Sequence, residues 1–306
     1  MQSQSVAGDT PRYRVERVGN GYRVIGRDLI VWEETFSQAS ERRAELELGR
    51  PSYAPLPPLS GSPAEQPHGI VYGPVVSRRL GRSLGVNITP PGCRVCHLNC
   101  VYCEFGGKER HQRSAHWPTP GEIGCALASR LDRVGEIDSV TISGYGEPTA
   151  HPRFAAVVAE IVSQVGRQRP GLGVRILTNG SQASRESVRR ALDLLEERIV
   201  KLDASMEAVC RPRSTQLLGR SVVGMCLLRD VTLQCCFIHG SVSNTDDRSV
   251  SDWIDTVRVV RPRAVQIYTI NHPPADDRIR PVSQEQLEEI ACRLRSKTGI
   301  DAGVFT

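Results

Sequence analysis

Residues 92–106 read GCRVCHLNCVYCEFG and gather four of the chain's ten cysteines, Cys93, Cys96, Cys100 and Cys103, while the other six are scattered. Cys96, Cys100 and Cys103 follow the spacing C-x3-C-x2-C. Iron–sulfur cubes are held by cysteine thiolates, one per iron, so three ligands leave one iron open. An open coordination position marks a centre that binds a reactant rather than a structural staple. The rival reading is a four-thiolate zinc site pairing Cys93 with Cys96 and Cys100 with Cys103. Such pairs are typically about 15–20 residues apart, so that two knuckles can fold around the metal. Only three residues intervene here, which favours the three-ligand count and makes Cys93 a bystander thiol.

Composition bounds the setting. The 306 residues include 39 basic and 34 acidic ones, and a net charge of +5 does not by itself argue for a nucleic-acid partner. The opening MQSQSVAGDTPRYRVERV lacks an apolar signal core, and no later run is long and apolar enough to span a bilayer. The expectation is a cytoplasmic protein without a membrane partner. In a reducing compartment clustered cysteines are metal ligands or redox groups before they are disulfides.

Outward from the cysteines the texture changes twice. Tyr13 to Glu34 alternates apolar and polar residues around GNG and reads as a hairpin. Ser37 to Gly49 reads as a short helix, which makes residues 1–49 a small ββα unit. Residues 50–68 are a Pro-rich linker that fits neither helix nor central strand. From 69 to 306 strands and helices alternate. Strands are expected at 84–88, 137–143, 174–178, 199–203, 231–238 and 264–270, and helices at 120–134, 152–165, 184–197, 250–260 and 283–296. The gap after the fourth strand stays unassigned. Ser283 and Gln286 have capping-box spacing. Alternating strands and helices predict a parallel sheet, and six units predict a partial (βα)6 barrel whose functional groups stand at the C-terminal strand ends.

The cysteines follow the first of these strands, with Tyr102 just before the last of them. SGYGEPTAHP (143–152) follows the second strand and LTNGS (177–181) ends the third. This succession resembles the radical S-adenosylmethionine (SAM) superfamily. YGPVVSRRLGRSLGVNITPP (72–91), VKLDA (200–204) and VQIYTINHPPAD (265–276) resemble a subgroup near the wyosine-synthase-like Fe–S oxidoreductases. The resemblance implies a TIM-like partial barrel and a [4Fe–4S] cluster on Cys96, Cys100 and Cys103. It also implies a SAM site formed by Tyr102, Gly144, Tyr145, Gly146, Glu147, Thr178, Asn179 and Asp203. An external one-electron donor of flavodoxin or ferredoxin type would reduce the cluster. A 5′-deoxyadenosyl radical would then abstract hydrogen from a small molecule, peptide or nucleotide. Wyosine-type tRNA chemistry needs a further upstream cysteine set, and no cysteine precedes Cys93.

The remaining candidates have plainer expectations. His97 is expected to meet solvent or backbone. His239 and His272 are expected at strand ends on the substrate side. Tyr268 reads as core. Cys235 and Cys236 should face opposite ways on their strand. The basic run SRRLGR (77–82) is read either as pairing with acids of the fold or as meeting an anionic substrate. The N-terminal unit is expected to serve accessory binding or packing.

Overall fold

The computed structural model describes residues 69–90, 94–103, 105, 116–212, 215–271, 274 and 276–306, together with the backbone of 13–18, 21–26 and 30–33. The expected helix at 37–49, the Pro-rich linker, Cys93 and His272 lie outside these residues. The chain separates into two compact units, Met1–Ala54 and Pro55–Thr306.

In the first unit β1 (Tyr13–Val18), β2 (Gly21–Gly26) and β3 (Ile30–Glu33) form an antiparallel sheet in that order. The expected hairpin is therefore a three-stranded meander.

The second unit is built on one sheet. Its strands are β4 (Val71–Ser77), β5 (Gly81–Val86), β6 (Ser139–Ile142), β7 (Val174–Thr178), β8 (Glu197–Lys201), β9 (Val231–Gly240), β10 (Ala264–Thr269), β11 (Ile279–Pro281) and β12 (Ala302–Phe305). Their order is β12-β10-β9-β8-β7-β6-β5-β4, with β11 pairing β9 antiparallel. From β5 to β10 neighbours pair in parallel, as expected, and β12 extends the parallel set beyond β10. Twist curls this sheet into a half-barrel. β4 runs antiparallel to β5 as an edge.

Helices α1 (Pro120–Arg133), α2 (Phe154–Gln168), α3 (Glu186–Leu192), α6 (Asp247–Val260) and α7 (Gln284–Thr298) occupy the expected gaps. The unassigned gap after β8 holds α4 (Met206–Cys210) and α5 (Thr215–Cys226). Parallel strands packed by helices should be apolar behind and variable in front. On β10, for instance, Val265, Ile267 and Thr269 are buried whereas Gln266 and Tyr268 are partly exposed. Behind β9, Phe237 meets Trp253 of α6 edge to face at 5.3 Å, and the Trp253 indole N–H donates to Leu202 O at 2.9 Å. Such an aromatic pair adds about 0.5–1.5 kcal/mol beyond its buried area.

Ser283 caps α7 by accepting from the Gln286 N–H. The reciprocal half of the expected box is absent, because Gln286 Oε1 pairs instead with His239 Nε2 at 2.9 Å. A complete box stands at α1, where Thr119 and Glu122 cap each other.

Candidate functional site

The cysteine segment begins just past β5, at the C-terminal end of the sheet. Leu98 and Val101 anchor it in the core. Arg94 staples it from within, donating to Asn99 Oδ1 at 2.8 Å and to Leu98 O at 2.9 Å. Asn99 N–H donates to Cys210 O at 2.8 Å and Val101 N–H to Val209 O at 2.9 Å. These carbonyls belong to the last turn of α4, which has no intrahelical donors for them. The unassigned region thus holds the cysteine loop in place.

The GYGEP turn packs flush against the loop from the other side. Glu147 N–H donates to Val95 O at 2.7 Å, and a Cβ on Gly146 would lie 2.1 Å from that oxygen. Only glycine allows so close an approach. Glu147 is buried and its carboxylate turns inward. Oε1 accepts from Thr149 N–H at 3.0 Å, Thr149 Oγ1 at 2.6 Å and Thr178 Oγ1, while Oε2 accepts from Asn179 N–H at 2.7 Å. Burial pushes this carboxyl above the usual range, against those four donors. Gly180, with φ +71, closes the TNG turn in a left-handed conformation that favours glycine. Asn179 then reaches the loop, its Nδ2 donating to Cys96 Sγ at 3.4 Å.

Asp203 is also occupied within the protein. Its side chain is 0% exposed, accepting from Tyr102 OH, from Cys236 N–H at 2.7 Å and from Cys210 Sγ at 3.2 Å, with Lys201 Nζ 3.4 Å away. Tyr145 stands half-buried against Phe105, ring centroids 4.7 Å apart, and burial followed by the nearby Tyr72 pushes its hydroxyl up to about 12. The eight residues expected around SAM therefore collect at the ends of β6, β7 and β8 beside the cysteine loop. The carboxylates of Glu147 and Asp203 serve partners inside the protein.

Three groups not singled out as site residues complete the surroundings. Lys201 projects to the front of β8, donates to Tyr268 OH at 2.6 Å and lies 4.7 Å from the Tyr102 ring centroid. Burial works against its charge, but the Asp203 carboxylate outweighs it and holds the ammonium above the usual lysine range. Tyr268, read as core, packs against the core partly buried, on the front of β10 with Arg79 against its ring at 4.1 Å. Asn87, directly past β5, is 1% exposed with an unpartnered Nδ2. Nothing local signalled their meeting.

The histidines are tied to side chains. His97 is partly exposed and pairs with Ser181 Oγ at 3.1 Å and Gln182 Nε2 at 3.2 Å. His239 lies at the end of β9 and is bound to α7. Cys235 and Cys236 are both fully buried, on opposite faces of β9.

The donor set suits an iron–sulfur cluster. Cys96, Cys100 and Cys103 are outside any disulfide and of intermediate exposure on one loop, and an amide N–H on Cys96 is the kind of contact that tunes cluster sulfur. Burial, then the Glu147 carboxylate, pushes the Cys96 thiol up to about 12. Among the described residues no three His, Cys, Asp or Glu side chains converge on one ion position. No helix among the described residues is long and apolar enough to cross a membrane.

Known proteins agree with this geometry. The chain is 27% identical over 242 residues to a protein named GTPase Obg of Brachyspira hyodysenteriae, covering 76% of this chain and 35% of that protein. This chain contains no G-x4-G-K-[S/T] phosphate loop, so that name's nucleotide chemistry does not transfer. It is 28% identical over 234 residues to a UPF0026 protein of Methanocaldococcus jannaschii, covering 72% of this chain and 70% of that one. The fold matches TYW1 with a lysine–pyruvate adduct bound, at TM-score 0.52 and 16% identity over 71% of this chain and 74% of that one. It also matches Streptococcus suis SuiB bound to S-adenosylmethionine, at TM-score 0.52 and 14% identity over 97% and 72%. The family model of the radical SAM superfamily matches residues 91–211, the stretch that carries the cysteine loop, the GYGEP turn and Asp203.

Proposed function

We propose that the protein holds a [4Fe–4S] cluster on Cys96, Cys100 and Cys103 and binds SAM beside it to begin hydrogen abstraction from a substrate inside the half-barrel. The observation that carries this reading is the pinned loop that brings three cysteines outside any disulfide to the C-terminal end of the sheet. With an electron from a flavodoxin- or ferredoxin-like donor, the bound cluster and SAM supply a 5′-deoxyadenosyl radical. The protein's own part is to hold and enclose. Gly144, Tyr145 and Gly146 offer backbone to SAM at close range, and Asn87 offers an unused amide donor. Glu147 positions Thr178 and Asn179, and Asp203 positions Tyr102, each by hydrogen bonds already formed. Lys201 pairs with Asp203 at 3.4 Å and donates to Tyr268 OH, which places a cation beside the cysteine loop.

The test is anaerobic reconstitution with iron and sulfide. A brown protein that releases 5′-deoxyadenosine with SAM and dithionite is expected. Cys100→Ala should abolish that product and Cys93→Ala should leave it. A colourless zinc protein with no product would sink the reading, and loss in both variants would show the ligand triad to be misassigned.

A further inference from the structure

The basic run 77–82 divides in the structure. Arg78 and Arg82 are exposed, whereas Arg79 turns inward from the β4–β5 hairpin. The turn that aims it is fixed, since Ser77 Oγ accepts from the N–H groups of Arg79 and Leu80, both at 3.2 Å. Leu80 is buried and its carbonyl accepts from Ser139 Oγ at 3.3 Å. The Arg79 guanidinium lies on one side of Tyr268, 4.1 Å from the ring centroid, and Lys201 Nζ stands 5.0 Å from the same centroid. Two cations thus share one aromatic ring. Among the described residues a single carboxylate, Asp203, answers them, and it pairs with Lys201. Arg79 has no carboxylate partner among those residues, and its Nη1 is buried without an acceptor. A buried, unmatched N–H on a charged fork is costly unless something supplies oxygen.

We propose that Arg79 is the receptor for an oxyanion group, carboxylate or phosphate, of the substrate held in the half-barrel. The guanidinium fork matches such groups in two-point hydrogen bonding, and the Tyr268 ring presets its plane. Lys201 adds a second positive charge near the ring's hydroxyl. Tyr268 OH is bonded to Lys201, which faces Tyr102 of the cysteine loop, so an anion on Arg79 is tethered beside the proposed SAM site. That this interior receives the substrate rests on the function proposed above. Anion binding by Arg79 does not.

The test titrates the purified full-length protein with sodium phosphate and, separately, sodium acetate against chloride at constant ionic strength, reading calorimetric binding and the thermal midpoint. At least one anion should bind and raise the midpoint, and the stronger of the two identifies phosphate or carboxylate chemistry. Arg79→Gln should weaken that binding at least about tenfold, the order expected for charge-assisted hydrogen bonds. Without anion, Arg79→Gln should melt no lower than the parent, because it removes an unmatched buried charge. Arg78→Gln, on the exposed neighbour, should change neither reading. Equal binding by parent and Arg79→Gln, or equal loss in Arg78→Gln, would mean an adventitious ion only and overturn the proposal. A lower midpoint in Arg79→Gln with no anion dependence in the parent would make Arg79 a packing residue. Should Arg79→Gln fail to fold, Arg79→Lys keeps the charge but not the fork, and unchanged affinity there overturns the assignment. Anion binding that persists in a protein releasing no 5′-deoxyadenosine would sink the radical reading alone.

Discussion

Gly146 shows how one missing atom can support a whole site. A Cβ there would meet Val95 O at 2.1 Å, Val95 C at 2.8 Å and Val95 N at 2.9 Å, all backbone atoms that cannot swing aside. Gly146→Ala must therefore push the GYGEP turn off the cysteine loop, at about 1–3 kcal/mol by analogy with overpacked cores. Gly166, exposed in α2 with nothing within 4 Å of a built Cβ, is the control. Gly166→Ala should stabilise by about 0.5–1 kcal/mol, because helix interiors favour alanine. Urea denaturation of both variants, with iron counted after reconstitution, should show Gly146→Ala less stable and poorer in iron and Gly166→Ala more stable with iron unchanged. A Gly146→Ala protein as stable and as iron-rich as the parent would show that the loop does not depend on this contact. At this scale spacing made the cysteines and the glycine turn legible. The basic run holding Arg79 was legible as a candidate for an anion, but its meeting with Lys201 and Tyr268 was not, because the three come from distant segments and meet only when the sheet curls.

Among the elements, α1 offers the clearest test of local sequence logic. Thr119 Oγ1 accepts from Glu122 N–H at 3.2 Å, Glu122 Oε2 accepts from Thr119 N–H at 2.7 Å, and Pro120 opens the helix where no N–H is needed. Thr119→Ala should cost about 1 kcal/mol. Partial burial works to raise the Glu122 carboxyl, but the hydrogen bonds from Thr119 and His116 prevail and hold it below the usual glutamate value. A carboxyl lowered on folding stabilises above its unfolded value, near pH 4.3, and loses that contribution as pH falls through the folded one. The stability gap between the parent and Glu122→Gln should thus be widest near neutral pH and close below about pH 4. A gap independent of pH, read from denaturation curves across that range, would refute the electrostatic part of the box. Elements with such signals were legible, and β7 spans the residues expected. β4, β11 and β12 were not, being short or broken by glycine and proline. The helices α4 and α5 escaped because Ser205 and Arg211, flanking α4, adopt left-handed backbone, a conformation for which neither residue type is a signal.

At the level of the whole molecule, the strand pairing of the large sheet closes within Pro55–Thr306, from β4 at one edge to β12 at the other. Every residue named here for the cluster, for SAM and for the anion lies in that unit as well. We propose that residues 1–49 form a separate accessory module joined by the Pro-rich stretch, which makes a chain starting at Pro55 the deciding protein. It keeps each hydrogen-bonded neighbour of β4 through β12, so its main thermal transition should stay cooperative and within a few degrees of the parent's. Iron uptake and 5′-deoxyadenosine release without substrate should be unchanged, since both depend on the loop between β5 and α1 and its supports on β6, β7 and α4. An accessory binding module would instead show its loss only when the true substrate is supplied, as a raised KM with the radical step intact. A Pro55 chain that melts broadly or takes up no iron would mean that the first unit completes the fold of the second, and the modular division would fall with it.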